Sequence, residues 1–139
     1  MLLDTHIVLW LDAGDARLRR ETVDGIEGHW RAGGTIAVSA VTAWEIALLA
    51  ESGRIVLDVD PEAWLSRFLA RPGLVAAPLT VSAAARAYRL DGLPHRDPAD
   101  RLLIATAVER GWPLVTYDPR ILAYAENDGA GLGLLARTH

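Results

Sequence analysis

The stretch "PADRLLIATAVERGWPLVTYD", residues 98–118, decides the fold. Pro98 suits a first helical position and Gly111 stops the run after Arg110. "PLVTYD" (113–118) then reads as a short buried strand closed by an acid. A helix running into a short, continuously apolar strand is the repeating half of a parallel sheet covered on both faces. The rest of the chain repeats the pattern. "MLLD" is a strand ending in Asp4, "TIAVS" (35–39) a second, preceded by the breaker Gly33-Gly34, and "LVAAPL" (74–79) a third. Helical spacing links Val23, Ile26 and Trp30, then Val41, Trp44 and Leu48, then Trp64, Leu65, Phe68 and Leu69 after the Asp60-Pro61 start. From Glu126 on the pattern weakens, although "LLAR" (134–137) offers a last edge strand. The expected class is α/β.

Composition bounds the chemistry. A chain of 139 residues, 51% hydrophobic and 23% charged, fits a single domain over residues 1–139. No segment approaches the run of about 20 apolar residues that a membrane span needs. "MLLDTH" has neither a basic region nor a cleavage site of a secretory signal, so a cytoplasmic protein without membrane contact is expected. There is no Cys, which removes thiolate nucleophiles and Cys-based metal sites. All fourteen basic residues are Arg. Without Lys there is no Walker A loop, pyridoxal-phosphate Schiff base or Ser-Lys dyad. With a net charge of -4, a polyanionic substrate has to be drawn by local Arg or by metal.

The acids stand at meaningful places on this frame. Asp4 closes the first strand and Asp118 the fourth. Glu45 lies on the helix after the second strand, and Asp97 and Asp100 sit on the first turn of the helix before the fourth. Ligands of open parallel sheets bind beyond the carboxyl ends of the strands. Each acid also has an ordinary role: Asp97 as an N-cap before Pro98, Asp100 at the positive end of a helix dipole, Asp118-Pro119 as a turn, Asp4-Thr5 as a helix start. Glu45 is harder to explain that way. It is the only charged residue in "SAVTAWEIALLA" (39–50), and no Arg is within helical reach. A carboxylate in apolar surroundings without a cationic partner suggests a metal ion. Crowded carboxylates either take up protons or are neutralised by a divalent cation. Oxygen ligands without Cys favour Mg²⁺ or Mn²⁺ over zinc, and two such ions about 3.5–4 Å apart would suit phosphodiester cleavage.

The ordered set "LLDTH", "VSAVTAWEIALL", "GRI", "PHRDPADRLLIATA" and "GWPLVTYD" resembles the PIN-domain ribonucleases, specifically the VapC toxins of type II toxin-antitoxin systems, over residues 2–118. The resemblance implies a PIN-like αβα sandwich with a central, mainly parallel sheet. It also implies an Mg²⁺-dependent endoribonuclease that is usually a homodimer and is inhibited by a cognate VapB antitoxin. The family's acids fall on Asp4, Glu45, Asp100 and Asp118. Asp97 belongs to the additional "HRDP" block, and which of Asp97 and Asp100 is the closer ligand is left open. In the family picture Thr116 orients a water or a carboxylate.

Arg96 and Arg101 flank the acids and can hold RNA phosphates or fix a carboxylate, with a solvated helix surface as the plainer role. His6 reads as a packing or orienting group. The Trp residues at 10, 30, 44, 64 and 112 read as core. The run Val41–Leu49 and "GRIVL" (53–57) are more apolar than one small domain requires, so a groove for an amphipathic antitoxin helix is expected there. Two rivals come from other classes. A phosphoaspartate protein gathers acids at the same sheet edge, but it normally needs a Lys, and His6 stands where its second acid would be. A catalytically inactive PIN-like binding module usually loses acids that are all present here.

Overall fold

The computed structural model describes residues 1–93 and 96–139; Pro94 and His95, the first two residues of the "PHRDPADRLLIATA" block, lie outside the described residues. The chain runs β1 (Leu2–Leu3), α1 (Thr5–Ala13), α2 (Arg20–Arg31), β2 (Ile36–Ser39), α3 (Ala40–Glu51), α4 (Pro61–Leu69) and β3 (Leu74–Ala77). It continues with α5 (Val81–Ala87), α6 (Pro98–Arg110), β4 (Leu114–Val115), α7 (Pro119–Glu126), a 3₁₀ turn (Asp128–Leu132) and β5 (Ala136–Arg137). The five strands form one sheet in the order β3-β2-β1-β4-β5, and every pairing is parallel. The expected αβα class holds. The "LLAR" segment supplies the edge strand.

Register explains the two layers. Leu2 stands beside Ala37 and Leu114, and Leu3 beside Val38 and Val115. Because strand side chains alternate between faces, the first row points into one core and the second into the other. Leu103, Ile104, Ile121 and Tyr124 of α6 and α7 cover the first row. Ile7, Val8, Ile26, Trp64 and Phe68 of α1, α2 and α4 cover the second. Val41 of α3 packs in the first core and Ile46 in the second, so this helix bridges both layers at the carboxyl end of the strands.

Local signals set the helix ends. Asp97 caps α6 through Ala99 N at 3.0 Å, with Pro98 at the first helical position. Gly111 leaves the helix at φ 61°, a left-handed turn that a side chain would resist. Gly73 (φ 83°) has a second constraint: a Cβ there would stand 2.1 Å from Cδ1 of Trp30.

The core assignment of the Trp residues needs correction. Trp64 is buried and stacks on Phe68 with ring centroids 5.6 Å apart. Trp30 lies over Gly73 with 42% of its surface exposed, and Trp44 is 54% exposed. Since α3 is apolar nearly all round, its spacing could not show which apolar stripe would face outward.

Candidate active site

The strand order contains a reversal. From β1 the chain moves outward through β2 to β3, then returns to the opposite side of β1 with β4. The crevice of a parallel sheet opens at such a reversal, beyond the carboxyl ends of the two strands. Asp4 follows β1 directly, and Thr116 to Asp118 follow β4. The amide of Asp4 donates to Val115 O at 3.0 Å, which fastens the two strand ends together.

Asp4 is 4% exposed and fully engaged. Its Oδ1 accepts from Thr5 N at 2.6 Å as the cap of α1, and its Oδ2 accepts from Thr116 Oγ1 at 2.6 Å. His6 approaches from the same helix, its Nδ1 3.4 Å from Asp4 Oδ2. Nε2 of His6 accepts from Tyr117 N at 3.0 Å, so the ring proton sits on Nδ1, toward Asp4. Trp10 and Tyr117 pack against the imidazole, with centroids 4.9 and 6.2 Å away. His6 is thus an orienting group, as its sequence position suggests.

Glu45 enters from α3. Its Oε1 accepts from Thr5 Oγ1, which also lies 3.2 Å from Thr42 Oγ1 of the same helix. Burial pushes the Glu45 carboxyl up, the Thr5 hydrogen bond opposes that, and the charges of Asp4 and Asp97 add to the rise. Asp118 caps α7: Oδ1 accepts from Arg120 N at 2.8 Å, while the Arg120 guanidinium spans Oδ1 and Oδ2 at 3.2 and 2.8 Å.

Asp97 and Asp100 complete the mouth. Asp97 is exposed and spends Oδ1 on its helix cap, whereas Asp100 is half-buried. Burial first, then the charges of Asp4, Asp97, Asp118 and Glu45, raise the Asp100 carboxyl to about 7. All five acids therefore share one electrostatic neighbourhood. A cap uses one carboxylate oxygen; the second oxygen of Asp4 accepts from Thr116 Oγ1 and that of Asp118 from the Arg120 guanidinium, so both carboxylates are held in place at the crevice. Among the described residues no three His, Asp or Glu side chains are already drawn close enough to ligate an ion. A mutually repelling all-oxygen donor set on a chain without Cys nevertheless has the chemistry of a hard divalent cation site.

Arg96 and Arg101 lie beside the acids on a cleft of about 420 Å³ rather than among them. Nη1 of Arg101 donates to Ala87 O at 3.1 Å and Nη2 to Leu93 O at 3.4 Å, which orders the guanidinium at the end of α5. Three residues absent from the sequence expectations serve the site: Thr5, Thr42 and Arg120. Thr5 directly follows Asp4 and Thr42 precedes Glu45 by three, a helical neighbour, so both left a local trace. The Arg120 contact follows from Asp118 being a cap rather than only a turn.

Comparison with known proteins agrees with this geometry. The sequence profile of the PIN domain matches residues 1–127. Ribonuclease VapC22 of Mycobacterium tuberculosis is 38% identical over 124 residues, which cover 89% of this chain and 91% of that protein. The crystal structure of VapBC2 from Rickettsia felis, bound to a DNA fragment from their promoter, aligns over 98% of this chain and 96% of that one, with a TM-score of 0.68 and 17% identity. A FitAB structure bound to the IR36 DNA fragment aligns over 98% and 92%, with a TM-score of 0.54 and 18% identity. At these identities the structural likeness is one of fold.

Proposed function

Because the chain belongs to the PIN-domain family, we propose that it is a ribonuclease toxin of the VapC kind, cleaving RNA phosphodiesters with a divalent cation and neutralised by a VapB-type antitoxin. The observation that carries the reading is the gathering of acids at the crevice, where burial first, and then the charges of Asp4, Asp97, Asp118 and Glu45, raise the Asp100 carboxyl to about 7. Arg120 answers the charge of Asp118, but burial and mutual repulsion raise the carboxyls of Asp100 and Glu45, and a divalent cation would relieve both.

In this reading Asp4, Glu45, Asp100 and Asp118 hold Mg²⁺ or Mn²⁺, and Asp97 lines the rim. When bound, such a cation supplies a Lewis acid for a phosphoryl oxygen and a means of activating water near neutral pH. The chain's own groups set the geometry. Thr116 and His6 fix Asp4, Thr5 fixes Glu45, and Arg120 holds Asp118 in the orientation of the α7 cap. Arg96 and Arg101 offer guanidinium groups to the RNA backbone.

The antitoxin half of the proposal draws on a second feature. Trp44, Leu48 and Val56 are exposed along α3 and the segment after it, at 54, 53 and 94%. Exposed apolar side chains of this kind suit the apolar face of a partner helix, and Glu45 on the same helix would let a partner Arg reach the acids. The likeness to chains of VapBC and FitAB structures supports that partner class. A homodimer formed through other helices is part of the same proposal. No helix among the described residues is long and apolar enough to cross a membrane.

The test is incubation of the purified protein with single-stranded RNA in Mg²⁺, Mn²⁺ or excess chelator, with and without the product of an adjacent small gene. Cleavage that needs the cation and is suppressed by the neighbour is expected. Undiminished cleavage in chelator would refute the metal-dependent reading, and no cleavage under any condition would favour the inactive binding module.

A further inference from the structure

The cleft beside the acids has a composition that the carboxylate site does not explain. It lies between the end of α5 and the first turn of α6, and Ala87, Tyr88, Arg96, Pro98, Arg101 and Leu102 line it. Resting on the ribonuclease reading, we propose that it binds one nucleotide of single-stranded RNA flanking the cleaved bond, with the base stacked on Tyr88 and the phosphates on Arg96 and Arg101.

Four observations support that occupant. The volume of about 420 Å³ lies in the range of small-ligand pockets. Among the described residues both charged side chains on its wall are Arg, on a chain whose net charge is -4, so the wall is locally complementary to a phosphate. Tyr88 leaves 91% of its surface in solvent just past the last turn of α5. A tyrosine ring held outside the core is a stacking platform that accepts any base, which is how single strands are bound without duplex geometry. Finally, Arg101 is ordered in advance by the carbonyls of Ala87 and Leu93, so its guanidinium loses little freedom when it meets a phosphate.

Position ties the cleft to the chemistry. On α6, Pro98, Arg101 and Leu102 are spaced three and four apart and form one stripe. Asp97 and Asp100 form the adjoining stripe of the same turn. A strand crossing the helix mouth passes from the Arg-lined wall to the carboxylates within one helical turn, so the base on Tyr88 belongs to a nucleotide next to the reacting phosphate.

The experiment uses short single-stranded RNA carrying 2-aminopurine at successive positions, titrated with the full chain in excess chelator so that nothing is cut. Stacking quenches the probe. With the wild type we expect saturable quenching at one position. Tyr88→Ala should abolish that quenching and weaken binding roughly 5- to 100-fold, Tyr88→Trp should restore both, and thermal stability should not change because the ring is exposed. Equal binding and quenching by Tyr88→Ala would overturn the cleft while leaving the ribonuclease reading intact, provided the same preparation cleaves RNA with Mg²⁺. An absence of both binding and cleavage by the wild type would overturn the two together. If Tyr88→Ala instead shifts the sedimentation of the protein toward monomer, the cleft is a contact between copies and the nucleotide assignment is wrong.

Discussion

Thr116 Oγ1 donates to Asp4 Oδ2 at 2.6 Å and accepts from the amide of Asp118 at 3.0 Å, so one fully buried hydroxyl links the acids at the ends of β1 and β4. Valine has nearly the same shape but no hydroxyl. Thr116→Val should lower stability by about 1–3 kcal/mol, since the buried Asp4 Oδ2 loses its 2.6 Å hydrogen bond and keeps only His6 Nδ1 at 3.4 Å. It should also slow cleavage by disordering two carboxylates at once. Denaturant midpoints and initial rates check this, and a variant of wild-type rate would show that Thr116 does not position the site.

Asp97 and Asp100 should separate by phenotype. Asp97 is exposed and caps α6, so Asp97→Ala should cost about 1 kcal/mol of stability and leave measurable cleavage. Asp100, inside the field of the other four acids, should lose cleavage altogether as Asn and become more stable in chelator. The reverse pattern, an inactive Asp97→Ala that is fully stable, would exchange their roles.

Acid crowding also sets a pH dependence. The folded protein holds the Asp100 proton up to about 7, whereas the unfolded chain releases it near the ordinary carboxylate value of about 3.9. A raised folded value means stability that is present at low pH and lost as pH rises through that window. Glu45 is raised in the same direction. In chelator the melting temperature should therefore fall between about pH 4 and 7, once other groups are matched by the Asp100→Asn control. Added Mg²⁺ should recover the loss at the high end, because a ligand that binds only the folded state stabilises it. A melting temperature with the same pH slope in Asp100→Asn would dispose of this explanation.

The antitoxin surface is separable from the acids. Leu48→Asp together with Val56→Asp should weaken antitoxin binding by tenfold or more, because each puts a charge into an apolar contact. RNA cleavage should persist, and in a host the double variant should escape neutralisation. Titration calorimetry of the complex reads the affinity directly; wild-type affinity would move the docking face elsewhere.

Much of this architecture was legible in the sequence, for reasons that can be named. β2 and β4 announced themselves by short apolar runs after Gly33-Gly34 and Gly111, and α6 by Pro98 and Gly111 at its two ends. Other elements left weaker traces. "THIVLWLDA" is apolar on nearly every side, so α1 merges with the strand before it; α5 is seven residues, mostly alanine; α7 hides behind an Asp-Pro pair that reads equally well as a turn. Strand order was out of reach, since the pairing of β4 with β1 joins residues more than a hundred apart. The same distance hides the Thr116 link to Asp4. Glu45 was readable because a lone charge on an apolar helix is expensive, and the surplus of apolar residues over Val41–Leu49 was readable too, but which of them face outward was not: Trp44 read as core, because nothing local distinguishes an apolar side chain facing a core from one facing a partner.

The claim that these acids form one cation site is tested most directly by titrating the metal-free protein with Mn²⁺ and following the free ion by electron paramagnetic resonance. The wild type should bind Mn²⁺ in competition with Mg²⁺, and Asp4→Asn, Asp100→Asn and Asp118→Asn should each weaken binding at least tenfold while remaining folded. Wild-type Mn²⁺ affinity in all three variants would contradict the account.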